Sequence, residues 1–456
     1  MLDIIITLAQ LFRAQQKQLY MVGGTVRDGL LRRGQSGDAD LTTDARPDEI
    51  KRLVASTHPS AVVLVGERFG TVRLHYEENI VEITTFRTER YNPESRKPEV
   101  CFGDRLEEDL LRRDFTINAM AHDPLNGYII DPFGGKQDLE AHILRAVGDE
   151  PDKRFDEDPL RLLRAVRFAA QLGFSLEEET RRSIERQSSK LQKISRERIR
   201  DEMNKLLLSS HPARGLDLLV ELDLMRWIIP EVLELRGVSQ QPQPRVSTKD
   251  VYTHVLRVVE RSSPRLATRW GALLHDIAKP RTKTVEDNKV HFFQHEDVGA
   301  HMARDILKRL HFDRDFIEST SLLVRLHMRA NAYTAEWTDG AVRRLMLESG
   351  NSLPDLLDLS RADITSYRVD KVTRANARVA ELAERCQRLK EEAERVPLKS
   401  PLDGTELMEL FDRGPGPWLR PIKEYLLGLV IDGAILPDDK KKAAALAQEY
   451  INQHQL

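Results

Sequence analysis

Cysteine is nearly absent: Cys101 and Cys386 are the only two in 456 residues. No disulfide framework can hold the fold, and a reducing cytoplasm is the expected compartment. A basic excess is also missing. Seventy Lys+Arg face 73 Asp+Glu, a net charge of −3, so any nucleic-acid surface must come from uneven placement of charge. The apolar N-terminus, Met1 to Leu11, is short, has no basic leader and runs straight into Arg13 and Lys17. It reads as an amphipathic first helix, not a signal peptide or a membrane span, and no membrane partner is expected. Apolar residues at 40% and charged residues at 31% suit a globular chain rich in amphipathic helices, and the length implies two to four domains.

One stretch organises the rest. The apolar run Leu19 to Val22 leads into Gly23-Gly24 and a helix-like segment from Thr25 to Arg33. Such a strand–turn–helix lets the glycines bring N–H groups against a phosphate. Asp38 and Asp40 follow, two apart on an extended segment, so both carboxylates share a face. Paired hard oxygen ligands beside a phosphate cradle suit Mg²⁺. The plainer alternative is a simple turn and two solvated aspartates. Arg27 beside the glycines, together with the aspartate pair, favours the functional reading.

Runs of β-branched residues from 61 to 87, broken by Gly70 and Glu77-Glu78-Asn79, predict strands and a hairpin completing a mixed sheet. Glu82 lies on one of these strands and is read as structural. Residues 88 to 105, with Pro93 and Pro98, read as a mobile loop. Beyond about Gly148 strand signals almost vanish and helices are expected over 161–172, 176–191, 197–208 and 215–225. Pro242 and Pro244 mark a linker. A long helix over 375–395, a turn-rich joint over 401–418 and helices over 422–431 and 440–452 close the chain.

The pattern GG-x-x-RD followed by D-x-D resembles the signature of class II tRNA nucleotidyltransferases and their bacterial poly(A) polymerase relatives, within the polymerase-β-like nucleotidyltransferase superfamily. The resemblance continues through Arg112-Arg113-Asp114-Phe115-Thr116-Ile117-Asn118-Ala119, Glu157-Asp158-Pro159-Leu160-Arg161 and Glu197-Arg198-Ile199-Arg200-Asp201-Glu202. It implies an α+β protein: a nucleotidyltransferase head (1–148), an all-α neck and body with base recognition (149–238), an α-helical HD domain (245–375) and a helical tail (376–456). By resemblance Gly23, Gly24 and Arg27 hold phosphates, while Arg113, Asp114 and Asn118, at a predicted helix start, engage sugar and phosphates. Taken alone, that segment would read as a helix start capped by Asp114. The loop over 88–105 has close to the full length of those relatives that add the terminal adenosine, with Glu94-Ser95-Arg96 where they have Asp-x-Arg.

Cytosine and adenine each offer an amine donor beside a ring-nitrogen acceptor, and uracil and guanine offer the reverse. A carboxylate and a guanidinium side by side therefore accept the first two bases and reject the others. Asp158 and Arg161, three apart on one predicted helix face, supply such a pair. In the family the corresponding residues act as a protein template, and Arg164 and Arg167 contact the nucleotide. Asp158 before Pro159 would equally serve as a helix N-cap.

The second half has its own constellation: His254, His275-Asp276, His295, His327 and Asp363. Leu273-Leu274-His275-Asp276-Ile277-Ala278-Lys279 resembles the HD phosphohydrolase superfamily. His254, His275, Asp276 and Asp363 are the expected ligands of a divalent metal, with His295 and His327 available to a second ion or a substrate. In the tail, Lys423 and Lys440-Lys441-Lys442 would grip tRNA phosphates, or simply form a solvated helix end.

The expected activity is untemplated addition or repair of the 3′-terminal CCA of tRNA, with Asp38 and Asp40 holding two Mg²⁺ and with ATP and CTP as substrates. The expected partners are the tRNA 3′ end and acceptor arm, not DNA. Alternatives within the family are A-only addition, CC-only addition or polyadenylation. Bacterial poly(A) polymerases typically lack the HD half. An alternative of another class is a metal-dependent HD phosphohydrolase with an RNA-binding head.

Overall fold

The computed structural model describes residues 1–33, 38–65, 70–90, 99–239, 250–287, 289–365, 369–395 and 398–454, without side chains at 89, 90, 99–101 and 395. The chain forms two compact units, Met1–Ile228 and Ile229–Leu456.

The first unit opens with α1 (Leu2–Ala14), β1 (Leu19–Val22), α2 (Gly24–Leu30), β2 (Asp38–Thr43) and α3 (Pro47–Val54). Strands β3 (Ala61–Val65), β4 (Thr71–Tyr76) and β5 (Asn79–Thr85) follow. Period-2 alternation sets the faces. On β2, Ala39 and Leu41 are buried while Asp38 and Asp40 are exposed. Leu41, Val72, Leu74, Val81 and Ile83 then pack against Ile5, Leu8 and Phe12 of α1 and Ile50 of α3. Each such fully buried aliphatic side chain contributes roughly 1.5–3 kcal/mol. That core holds one face of the sheet closed and leaves the other for chemistry.

The chain continues through β6 (Arg87–Arg90), β7 (Glu99–Phe102), α4 (Leu106–Leu111), β8 (Ala121–His122) and β9 (Ile129–Ile130). The main sheet has the order β3-β4-β5-β2-β1-β8-β9, with β2 antiparallel to β1 and parallel to β5. That parallel register sets Asp40 opposite Glu82.

Two expectations change here. The ends of the predicted loop over 88–105 pair as an antiparallel hairpin, from Arg87 opposite Phe102 to Arg90 opposite Glu99. Glu94-Ser95-Arg96 lies outside the described residues. Arg113, Asp114 and Asn118 do not start a helix. Glu107, Glu108 and Asp109 favour an earlier helix start at Leu106. Asp114 then falls after α4, and Asn118 closes a 3₁₀ turn, Thr116–Asn118.

Next come α5 (Gly135–Glu140), β10 (Ile143–Leu144), α6 (Pro151–Glu157) and α7 (Leu160–Leu172). β11 (Ser175–Leu176), α8 (Glu178–Gln187), α9 (Arg196–Leu207), α10 (Pro212–Glu221) and α11 (Met225–Ile228) complete the unit. Helix α7 is buried along most of its length and stops at Gly173 in a left-handed conformation (φ 76°).

The second unit contains α12 (Glu231–Glu234), α13 (Val251–Arg261), α14 (Leu266–Leu274) and α15 (Lys279–Thr282). A hairpin that the sequence pattern did not predict follows, β12 (Lys283–Glu286) against β13 (Lys289–Phe292). Then come α16 (His295–Arg309), α17 (Arg314–Asn331), α18 (Asp339–Ser349), α19 (Leu353–Ala362) and the long α20 (Val369–Arg395). The expected turn-rich joint holds a helix, α21 (Gly404–Phe411). Asp403 accepts from the N–H groups of Thr405 and Glu406, and Glu406 accepts from the N–H of Asp403, a reciprocal cap. α22 (Leu419–Ile431) and α23 (Lys440–His454) pack on it. Among the described residues no helix is long and apolar enough to cross a membrane.

Candidate active site and metal centre

In the first unit, β1 delivers the chain to Gly23, whose φ of +66° only glycine adopts without strain. A Cβ there would meet Arg113 Nη1 at 3.1 Å and lie 3.7 Å from Asp40 Oδ2. Backbone, arginine and carboxylate therefore converge at this turn. The Asp40 N–H donates to Thr25 Oγ1 at 3.0 Å, tying α2 to the strand of the aspartates.

These groups open onto a cleft of about 570 Å³. Gly23, Gly24, Arg27, Asp40, Glu82, Arg113, Asp114, Asn118, Asp158, Arg161 and Arg164 all line it. Asp38 shares the exposed face of β2 with Asp40 but lines a smaller neighbouring cavity with Gly24, Thr25 and Asp28. Desolvation in the cleft pushes the Asp40 carboxyl above its ordinary pKa; Arg113 opposes the rise, and Glu82 and Asp38 add to it. Bringing a cation there would relieve that crowding. Glu82 is held by Arg73, at 2.6 Å.

Arg27 is buried and held in place. Its Nε and Nη2 each donate to Asp28 at 2.8 Å, and Nη1 donates to Asn118 Oδ1 at 2.8 Å. Asn118 donates in turn to Asp114 Oδ1 (3.0 Å), which also accepts the Phe115 N–H (2.9 Å). Arg164 donates twice to Asp114 Oδ2, at 2.8 and 2.6 Å. Burial alone would raise the Asp114 pKa; Arg164 and Asn118 more than offset it and hold it at about 2. Arg167 lies outside the cleft lining. It pairs with Glu202 at 2.6 Å, and its guanidinium sits 4.0 Å from the centre of the Phe168 ring.

Asp158 and Arg161 both line the cleft, but the helix face they were expected to share needs correcting. α6 ends at Glu157 and α7 begins at Leu160, so Asp158 occupies an extended junction (φ −144°, ψ 99°) and not a shared helix face. Its Oδ1 accepts the Leu160 N–H (3.1 Å), although the residue flanking α7 is Pro159 and not Asp158 as expected. Its Oδ2 pairs with Arg198 of α9 at 2.8 Å. Arg161 instead donates to Glu157 Oε2 (2.6 Å), the Arg154 carbonyl (2.9 Å) and the Arg112 carbonyl (2.6 Å).

Sequence reasoning assigned no role to three residues that shape the cleft. Asp109 is wholly buried and accepts from the Arg87 N–H (3.2 Å), Arg112 Nε (3.0 Å) and Arg113 Nη2 (3.2 Å). Its spacing of three and four residues before two arginines was the available signal. Phe168 lies under Arg27, Arg164 and Arg167. Arg198, in the cleft lining, was legible only as part of a motif.

In the second unit the HD residues converge. His254 Nε2 lies 3.2 Å from His275 Nε2, 3.0 Å from Asp363 Oδ1 and 3.4 Å from Asp276 Oδ2. His295 Nε2 and His327 Nε2 lie 3.6 and 4.0 Å from Asp276 Oδ1. Asp276 thus faces two histidines through each oxygen. The Nδ1 atoms of His275, His295 and His327 lie against the carbonyls of Ala272, Phe292 and Val324 at 2.9, 2.8 and 2.6 Å. A carbonyl only accepts, so each Nδ1 carries the proton and each Nε2 presents a lone pair. Asp276 Oδ1 and His295 Nε2 are buried and have no hydrogen-bond partner among the described residues. Orphaned acceptors in a His/Asp set fit a divalent transition metal. Asn331 fixes Asp363 from behind at 2.5 Å, and Lys279 donates to Asp276 Oδ2 at 2.7 Å.

Residues 19–145 match the Poly A polymerase head domain family, 173–235 the family described as the probable RNA and SrmB-binding site of polymerase A, and 251–368 the HD domain family. A CCA-adding enzyme of a Geobacillus species is 31% identical over 427 residues, 92% of this chain and 90% of the relative. That of Lactobacillus helveticus is 48% identical over 208 residues, 45% of this chain and 50% of the relative. In the Bacillus subtilis and Bacillus pumilus relatives the match likewise covers only 62% of their length. The crystal structure of the Bacillus stearothermophilus CCA-adding enzyme in complex with CTP superposes with a TM-score of 0.69 at 27% identity, covering 98% of this chain and 97% of that one.

Proposed function

Since the chain belongs to the CCA-adding enzyme family, we propose that it adds or repairs the 3′-terminal CCA of tRNA from CTP and ATP. The observation that carries this reading is the single cleft lined by Asp40, Arg27, Arg113, Asp114 and the Asp158 junction. It offers carboxylates for metal, guanidinium groups for a triphosphate and a paired acceptor and donor for a base. Among the described residues the buried Nε of Arg113 has no partner, which leaves a donor for an incoming anion.

Asp38 and Asp40 would hold the Mg²⁺ ions, which when bound acidify the primer's 3′-hydroxyl and offset charge on the triphosphate. The primer oxygen bonds to the α-phosphorus, the α–β anhydride breaks, pyrophosphate leaves and the hydroxyl proton passes to solvent. Arg27 and Arg113 hold phosphate oxygens, and the Gly23 turn lets them approach the backbone. Asp114 and Asn118 set the arginines and face the sugar. The relatives' names and the bound CTP in the Bacillus stearothermophilus structure support these substrates. The four-part division at 148, 238–245 and 375, a cytoplasmic site of action and a tail gripping tRNA phosphates belong to the same proposal.

The HD constellation supports a second, metal-dependent phosphohydrolase activity in the same chain, because its Nε2 and carboxylate atoms are pre-oriented with no protein partner for two of them. His254, His275, Asp276 and Asp363 would hold the metal.

The test uses tRNA transcripts lacking the whole CCA, lacking only the terminal adenosine, or complete. Each is supplied with CTP, ATP or both, and products are sized. CCA addition predicts extension of the first two to the complete length and no growth of the third. Continued growth with ATP would indicate polyadenylation. Extension of only the transcript lacking adenosine would indicate A-only addition.

A further inference from the structure

A polar cavity of about 380 Å³ in the second unit belongs to neither the nucleotide cleft nor the HD centre. Helix α16 lines it with Asp297, His301 and Arg304, and α17 lines it with Glu318, Ser321 and Arg325. Steps of three and four residues put each trio on one helix face. Asp297 and Arg325 stand two residues from His295 and His327, about 200° around their helices, so this face is turned away from the metal ligands. Ser321 is 2% exposed, and its Oγ has no hydrogen-bond partner among the described residues. Leaving a buried hydroxyl unpaired costs about 1–3 kcal/mol, so its place in a cavity lining points to an occupant that bonds to it.

Arg304 and Arg325 are exposed, and neither has an ion-pair partner among the described residues. Glu318 is taken by Arg314, at 2.7 Å, and His301 is anchored by Nδ1 on the Asp297 carbonyl, at 2.8 Å. Two guanidinium groups from different helices, with a buried hydroxyl between them, match the several acceptor oxygens of a phosphoryl group. No Phe, Tyr or Trp lines the cavity, so a base has no surface on which to stack. Arg304, Arg314 and Arg325 against Asp297 and Glu318 leave one positive charge, which suits a single phosphoryl group better than a polyphosphate. We propose that this α16–α17 cavity is a phosphoryl-binding site, in which Arg304 and Arg325 hold the phosphoryl oxygens and Ser321 donates to one of them. Its occupant ties together the two helices that carry His295 and His327, and so braces the HD centre from behind without touching a metal ligand. The phosphoryl group arrives either free, as inorganic phosphate or a small monoester, or on an RNA backbone.

The test follows hydrogen exchange of the full chain on peptides covering 295–309 and 314–331, in chloride, in inorganic phosphate and with a tRNA transcript, all at one ionic strength. Phosphate should slow exchange in both helices relative to chloride. The phosphate concentration giving half that effect should rise by about tenfold or more in Arg304→Ala and in Arg325→Ala, and by about fivefold in Ser321→Ala. Both arginines are exposed, so their replacement leaves the core intact. Phosphate bound at the HD metal or in the nucleotide cleft is common to wild type and variants and drops out of the comparison. Protection by the transcript and not by phosphate, lost in the same variants, assigns the phosphoryl group to an RNA backbone. Protection that persists when Arg304 and Arg325 are both alanine, or no protection by either ligand in wild type, overturns the proposal and leaves Ser321 with a water.

Discussion

Replacing Asp114 with asparagine tests whether the cleft is held by one buried carboxylate. Asp114 is 8% exposed, and each of its oxygens accepts two donors: Phe115 N and Asn118 Nδ2 on one, Arg164 Nε and Nη2 on the other. Its pKa falls from an ordinary 3.8 to about 2. A folded-state pKa below the unfolded one means stability present above pH 3.8 and lost as pH falls toward 2. The lowering corresponds to roughly 2 kcal/mol at neutral pH, of which about half is gone by pH 3. Asparagine keeps one acceptor but sets an amide donor against Arg164, whose other carboxylate, Glu202, is 4.0 Å away. Asp114→Asn should therefore cost about 2–3 kcal/mol at pH 7. The assay is native-state hydrogen exchange in rising urea, read on peptides covering 106–122 and 160–172, so that the opening of this unit is followed in the full chain. Wild type should lose protection there between pH 5 and 3, and the variant should lose less. A change below about 0.5 kcal/mol at pH 7, or an identical pH dependence in both proteins, would refute the argument that Asp114 carries this energy.

Asp38→Ala and Asp40→Ala should each abolish nucleotide addition while leaving circular dichroism and tRNA binding unchanged; addition at a tenth of the normal rate by either would remove the metal assignment. His275→Ala or Asp276→Ala should eliminate divalent metal uptake by the second unit, measured by metal analysis after dialysis, and spare CCA addition. Retention of stoichiometric Mn²⁺ or Ni²⁺ by His275→Ala would remove His275 from the ligand set, and absence of any phosphatase or cyclic phosphodiesterase activity with Ni²⁺, Mn²⁺, Co²⁺ or Mg²⁺ would return this centre to a structural role. Gly135→Ala should destabilise the first unit by about 2 kcal/mol, since the new Cβ would stand 2.2 Å from the carbonyl oxygen of Thr116, beneath the turn that presents Asn118; an unchanged urea midpoint counts against that packing argument.

The strands that carry the aspartates were legible because each has one face in the core. Ala39 and Leu41 against Asp38 and Asp40, or Val81 and Ile83 against Glu82, write the period of two into the sequence. The missed hairpin shows the converse. All four residues of β12 are exposed, Val285 at 62%, so no buried face exists to impose alternation. The β6–β7 hairpin failed to register for a related reason: four-residue strands flanking a proline-bearing polar stretch resemble a loop when read locally. α21 was hidden by the glycines and prolines that follow it, although its Asp403/Glu406 cap was written in plain spacing. Sheet order was beyond the sequence, because the parallel pairing that sets Glu82 beside Asp40 joins segments that local propensity does not connect.

The two sites differ in legibility for a reason that lies in how each side chain is oriented. In the HD centre three histidines are aimed locally, turning their Nε2 inward because Nδ1 donates to a carbonyl three residues earlier, while His254 and Asp363 are set by Thr365 and Asn331. Residue type and helix position then nearly suffice to name the ligands. In the nucleotide cleft the side chains are aimed by partners far along the chain. Arg164 is set by Asp114 fifty residues back, Arg167 by Glu202 thirty-five residues on and Asp158 by Arg198 forty on. A local rule, carboxylate and guanidinium three apart, pairs Asp158 with Arg161. The break between α6 and α7 defeats it: the chain turns extended at Asp158, and Glu157, one residue earlier, takes Arg161 at 2.6 Å. With Asp158 extended before α7 begins at Leu160, the arginine that pairs with this carboxylate is Arg198, forty residues on and beyond any local rule.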